Sequence, residues 1–219
     1  MPGRLDNKVA IITGGAGFIG TAITQALCRE GARVVIADFD NAKWEDLRRN
    51  IDAALADKVS FIQADACNDT QVREMAKKVA TEHGQIDILV ALVGGSKDSL
   101  IHKMTDEQWD EVINLNLRST FLSCRAVVPF MMEQQYGKIV LMSSRSHLGN
   151  IGQVNYSTAK AGIIGFTSSL SREMARYRVN VNAVVPGFVD NPRLANMAEK
   201  YRQMRIELNP FQTAAEPMD

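Results

Sequence analysis

Short apolar runs and longer amphipathic stretches alternate along this chain, and the alternation predicts its elements. Val9-Ala10-Ile11-Ile12 is apolar, rich in β-branched residues and closed by Thr13-Gly14, which predicts a buried strand. Residues 19–30 carry Ile19, Ile23, Ala26 and Leu27 on one side and stop at Gly31, so they predict a helix. The same reading gives a strand over 33–38, a helix over 41–56 with Trp44, Leu47, Ile51 and Leu55 in step, and a strand over 59–64. A helix over 68–83 stops at Gly84. Residues 86–93 are apolar nearly throughout, as in a central strand covered on both faces. Thr105-Asp106-Glu107-Gln108 has the form of a capping box and opens a long helix over 105–130, where Pro129 is placed to kink the last turns. A strand over 139–142, a helix over 155–176 and a strand over 179–185 complete the series.

Six strands alternating with helices predict an α/β fold, a doubly wound parallel sheet with right-handed crossovers. One domain over residues 1–219 accommodates it. Residues 191–208, with Arg193, Leu194, Met197, Tyr201, Met204 and Ile206, read as an amphipathic cover over a substrate or as a plain surface helix. A sheet of this kind binds its ligand at the carboxyl ends of the strands. Thr13, Asp38, Asp65, Gly94, Ser143-Ser144 and Pro186-Gly187 all fall at such ends.

Composition narrows the partners. Among 219 residues, 25 Lys and Arg balance 25 Asp and Glu, which gives no electrostatic reason for nucleic acid or an anionic membrane. No apolar run approaches the ~20 residues needed to span a bilayer, and the start has no apolar signal core. Cys28, Cys67 and Cys124 are not paired in spacing, so reduced thiols and a cytoplasmic location are expected. His83, His102 and His147 are scattered, and no metal site is expected.

Two patterns carry candidate chemistry. Thr13 to Gly20, with Gly14, Gly17, Phe18 and Ile19 between, lies between a strand and a helix, where glycines let backbone N–H groups approach a phosphate. Asp38 follows 18 residues after Gly20, where a carboxylate takes the hydroxyls of an adenosine ribose and repels a 2′-phosphate; NAD is then favoured over NADP. A helix-cap or loop acid is the plainer alternative. Tyr156 and Lys160 stand four apart, on one face of a helix. An ammonium beside a phenol eases its ionisation from a pKa of ~10. The same spacing also describes a half-exposed tyrosine beside a solvated lysine.

Together the strand order, glycine turn, serine pair and Tyr156/Lys160 resemble the short-chain dehydrogenase/reductase family, from about Leu5 to Pro192. The likeness is to its single-domain branch, which includes 3-oxoacyl-thioester reductases and sugar or steroid dehydrogenases. The resemblance implies a Rossmann-like fold and hydride transfer between NAD and a secondary alcohol or ketone. It also implies a proton route through Tyr156, with Lys160 holding the nicotinamide ribose, a serine on the reacting oxygen, and Asn116 in a water chain. Asp65 and Ala66 would meet the adenine; Gly94, Pro186, Gly187 and Val189 would line the cofactor. Counting thirteen back from the tyrosine picks Ser143, whereas the strand end picks Ser144, which is the reading taken. The helices over 105–130 and 155–176 resemble the pair that forms the family's main dimer interface, implying a homodimer or homotetramer.

The sequence departs from the family pattern in four places. Phe18 replaces a glycine, giving the spacing of the extended branch of epimerases and dehydratases. Ala91-Leu92-Val93-Gly94 stands for the usual Asn-Asn-Ala-Gly, and Asn191 for a threonine. The family's last helix and seventh strand do not follow Pro217-Met218-Asp219, so the sixth strand is expected at an open sheet edge. An epimerase-type enzyme, and a nucleotide-binding protein of this fold with little catalysis, are the alternative functions.

Overall fold

The computed structural model describes residues 3–189, 199–207, 209 and 211–216. Six strands form one parallel sheet in the order β3-β2-β1-β4-β5-β6: β1 Val9–Thr13, β2 Arg33–Asp38, β3 Val59–Gln63, β4 Ile88–Ala91, β5 Gly137–Met142 and β6 Val179–Val184. The helices are α1 Phe18–Arg29, α2 Asn41–Asn50, α3 Asp69–His83, α4 Asp106–Ile113, α5 Ser119–Gln134, α6 Val154–Met174 and α7 Glu199–Glu207.

Side chains alternate across a strand, so each strand feeds two cores. Ile11, Val35, Leu89 and Ile139 pack on one face with Met75 of α3, Val127 and Met131 of α5, and Ile163 of α6. Ile12, Val34, Ile36 and Val90 pack on the other with Cys28 of α1 and Leu47 of α2. This three-layer arrangement matches the predicted doubly wound sheet. Each fully buried branched side chain contributes about 1.5–3 kcal/mol.

Several predicted boundaries move. The helix over 41–56 stops at Asn50, because Ile51 turns to extended backbone (ψ 143°) and Ala53–Lys58 forms a separate 3-10 turn capped by Asp52. The strand over 86–93 pairs only from Ile88 to Ala91. The helix over 105–130 does open on the capping box, with both Thr105 and Gln108 bonds present. It is then interrupted by a π-helical turn, Asn114–Arg118, and runs on to Gln134 with Pro129 inside it. At the other end of the chain, β6 has a strand neighbour on one side only among the described residues, as expected of an open edge. Half of the segment read as a substrate cover, residues 191–198 and 208, lies outside the described residues; α7 occupies the rest.

The amino ends of the central strands are fastened by one buried acid. Asp87, 3% exposed, accepts from the Val9 amide at 2.9 Å and from Gln85 Nε2 at 2.7 Å. Its other oxygen pairs with Lys8 Nζ at 3.0 Å. Removing the carboxylate strands a buried N–H and an ammonium together. Asp87→Ala is therefore expected to lower the unfolding free energy by about 2–4 kcal/mol in urea titration.

Candidate active site

The carboxyl ends of the strands gather the polar residues. β1 ends at Thr13, and the chain turns through Gly14, whose φ of +71° suits glycine. A Cβ on Gly20 would lie 2.4 Å from the Gly15 carbonyl oxygen, so glycine lets α1 close onto the turn. Gly17 is the N-cap of α1 and offers no side-chain cap, leaving the first-turn N–H groups of Phe18, Ile19 and Gly20 uncapped by it. Thr13 Oγ1 is buried and has no hydrogen-bond partner. Asp38 closes β2, 7% exposed, with its carboxylate accepting from Ala16 N at 3.3 Å and Asp40 N at 3.1 Å. Carboxylate oxygens have further lone pairs for ribose hydroxyls. A glycine cradle, uncapped N–H groups and an acid bonded to that cradle are the donor and acceptor set that a dinucleotide requires.

Asp65 and Ala66 lie just beyond β3. Asp65 is exposed and Ala66 buried, and Asp65 Oδ1 accepts from Cys67 N at 2.8 Å. Phe39, Gln63, Asp65 and Gln71 line an open depression of ≈ 400 Å³ beside the end of β2. On the far side of the sheet, Pro186 and Gly187 follow β6, and the Pro186 carbonyl accepts from Arg145 N at 3.0 Å. Val189 bridges to Ala215. These positions share the sheet edge with the glycine turn.

Three of the four predicted catalytic residues, Asn116, Tyr156 and Lys160, lie together after β4 and β5, and Ser144 follows two residues after the end of β5. Lys160, on α6, is 2% exposed; its Nζ donates to the Met142 carbonyl at 2.8 Å and lies 5.5 Å from the centre of the Tyr156 ring. Burial lowers its pKa from 10.5 to about 8. Asn116, fully buried, accepts from Gly95 N at 3.3 Å and donates to the carbonyls of Gly95 and Val112, each at 2.8 Å. Gly94 fits between these two residues: a Cβ there would lie 2.5 Å from Asn116 Oδ1 and 3.1 Å from Lys160 Nζ. The two serines divide. Ser143 is buried and donates to the Lys160 carbonyl at 2.8 Å, whereas Ser144 is half-buried and its Oγ accepts from Ser146 N at 3.2 Å.

Some residues that build this site were not singled out by the sequence. In the sequence Asn155 marks only the start of a helix. It is fully buried in the first turn of α6, donating to the carbonyls of Lys97 at 3.1 Å and Gln108 at 3.2 Å while accepting from Tyr156 N at 2.8 Å. An asparagine in a helix's first turn, where it competes with the backbone, was the available signal. Gln153 and Asp98 bond to each other across the site's rim and left no comparable trace. The π-helical turn that carries Asn116 has no periodicity of its own to read.

Comparisons with known proteins bear on the family and the fold. The family model for short chain dehydrogenases matches residues 8–202. The chain is 37% identical to a 3-oxoacyl-(acyl-carrier-protein) reductase of Thermotoga maritima over 215 residues, 98% of this chain and 87% of the relative. It is also 37% identical to a subunit of a hydroxy(phenyl)methylsuccinyl-CoA dehydrogenase of Thauera aromatica, over 98% of this chain and 86% of the relative. Among solved structures, gox2181 superposes with a TM-score of 0.92 at 35% identity, covering 98% of this chain and 86% of that one. A xylitol dehydrogenase with NAD+ bound has the same fold, at a TM-score of 0.91 and 22% identity, with 98% and 89% covered. Matched across nearly its whole length, with the glycine turn and the Tyr156/Lys160 helix in place, the chain belongs to the short-chain dehydrogenase family, NAD(P)-linked oxidoreductases acting on CH–OH groups and carbonyls.

Proposed function

We propose that the protein interconverts a secondary alcohol and a ketone with NAD(H), the substrate being a 3-oxoacyl thioester or another small to medium carbonyl compound. The observation that carries this reading is the ammonium of Lys160, buried and 5.5 Å from the Tyr156 ring. A nearby cation with little water around it stabilises a phenolate strongly, which makes tyrosine a usable proton donor and acceptor. When bound, the nicotinamide gives or takes the hydride. Tyr156 protonates the carbonyl oxygen in reduction and takes the hydroxyl proton in oxidation. Ser144 hydrogen-bonds the same oxygen. Support for Ser144 over Ser143 comes from the Ser143 hydroxyl, which is buried and spent on the Lys160 carbonyl. Asn116 holds the Gly94-Gly95 turn against Lys160 and completes the relay towards solvent.

The cofactor reading also has support where the sequence departs from its family. The Leu92 amide donates to the Thr13 carbonyl at 3.0 Å, so backbone ties β4's end to the glycine turn without the usual asparagines. Asp38 favours NAD through repulsion of a 2′-phosphate. The depression beside Asp65 supports an adenine site there. We further propose one catalytic domain, residues 191–208 as its substrate cover, and a homodimer or homotetramer assembled through α4, α5 and α6 in the cytoplasm.

Three measurements test this function. A panel of secondary alcohols and ketones with NAD(H) is expected to reveal turnover that falls 10²- to 10⁴-fold in Tyr156→Phe, with NADH affinity near wild type by fluorescence titration; equal turnover in the variant would overturn the role of Tyr156. Asp38→Asn removes the charge and keeps one acceptor oxygen in place of the two that now serve the Ala16 and Asp40 amides. The ratio of kcat/KM for NADP to that for NAD is expected to rise roughly tenfold or more. The third concerns pH. With Lys160 at about 8 in the folded protein against an ordinary 10.5, the unfolded chain binds more protons between those values. Stability then rises with pH across that window. The unfolding free energy of wild type relative to Lys160→Met should therefore grow from pH 8 to pH 10.5, and a flat difference would place the ammonium in water.

A further inference from the structure

The side chain of Gln153 takes no part in the proton route, yet it is 5% exposed and bonded at both polar atoms. Its Nε2 donates to Asp98 Oδ1 at 3.0 Å and Oδ2 at 2.9 Å. Its Oε1 accepts from Ser146 Oγ at 3.2 Å and from Asn150 Nδ2 at 2.9 Å. A carboxylate only accepts, so the amide can face in one direction alone.

These bonds join three separate pieces of the site. Asp98 lies in the loop after β4, four residues beyond Gly94. Ser146 belongs to the 3-10 turn after β5, and its amide donates to Ser144 Oγ at 3.2 Å. Gln153 itself is the N-cap of α6, three residues before Tyr156, and its carbonyl accepts from Ser157 N at 2.7 Å. The Ser99 amide adds a backbone stitch to the Gly152 carbonyl at 2.8 Å. A continuous series of hydrogen bonds therefore runs from Ser144 through Ser146 and Gln153 to Asp98, with Tyr156 one helical turn along from its centre.

We propose that Gln153 and Asp98 form a positioning clamp that sets Ser144 against Tyr156 and holds both against the loop after β4. Two groups that act on one substrate oxygen must keep their separation, and small misplacements cost a large share of the rate. Ser144 sits on a turn and Tyr156 on a helix, so their spacing depends on the contacts that bridge the two segments, and the Ser143–Lys160 bond is made a turn away from Tyr156. The charge on Asp98 strengthens the bridge at its outer end. This inference rests on the dehydrogenase reading above.

Exchange of donor and acceptor tests it. Gln153→Ala is expected to lower kcat ten- to a hundredfold while KM for NAD stays within twofold. Gln153→Glu sets a second carboxylate against Asp98 and should lose at least as much. Combined with Asp98→Asn, the glutamate accepts from the new amide and still accepts from Ser146 and Asn150, so kcat should return to within threefold of wild type. Amide hydrogen exchange across residues 144–157 should speed up at least tenfold in both single Gln153 variants and slow again in the double variant, whether or not substrate is present. A kcat for Gln153→Ala within threefold of wild type, or a double variant no faster than Gln153→Glu, would overturn the clamp alone. A wild type that turns over no alcohol or ketone would overturn the function beneath it, and the clamp's role with it.

Discussion

Lys160 is gripped at both ends by two consecutive residues of one strand end. The Met142 carbonyl accepts from its ammonium, and the Ser143 hydroxyl donates to its backbone carbonyl. The first bond lets a cation persist where water is largely excluded, since a carbonyl dipole replaces part of its hydration. The second fixes the rise of α6 along β5, and so fixes where Tyr156 stands one turn earlier. Take either bond away and the charge, the phenol and the strand end lose their common frame. Desolvation is the cause of the lysine's lowered pKa, so its charge is held by geometry rather than by a neighbouring acid.

The sheet separates two tasks by direction. At the amino ends of β1 and β4, Asp87 gathers an amide, a side-chain amide and an ammonium into a fastening. At the carboxyl ends, backbone groups and small residues leave room for ligands. Because the strands are parallel, every strand delivers its last residue to the same edge, and a chemistry-bearing residue needs only to follow its strand by one to three positions. Gly94 and Ser144 follow their strands by three and two residues, and Thr13 and Asp38 are the last residues of theirs.

That regularity explains which features were legible in the chain. Buried parallel strands are written as apolar runs, and glycines and acids after them are conspicuous, so the sheet, the glycine turn and the Tyr156/Lys160 pair could be read directly. Ser143 and Ser144 could not be told apart by counting, and their difference in burial is not written in the sequence. Gln153, Asp98 and Asn155 were opaque for a different reason. Each is an ordinary polar residue whose meaning lies in a partner on another segment, 47 to 58 residues away. The early end of the helix at Asn50 likewise follows from the Asp52 cap competing with a hydrophobic repeat that runs on through Leu55.

The π-helical turn at Asn114–Arg118 also has a bearing on shape. A π turn accommodates one extra residue, and one residue is about 100° of rotation around a helix axis. The outward stripe of α4 therefore does not continue as the outward stripe of α5. A neighbouring helix laid along this pair would meet two differently phased surfaces in succession, with the phase change at the height of the buried Asn116. Deleting one residue from the turn would straighten the stripe and swing that asparagine away from Gly95 in the same stroke. The outer surface and the inner chemistry are thus geared together by a single turn of helix.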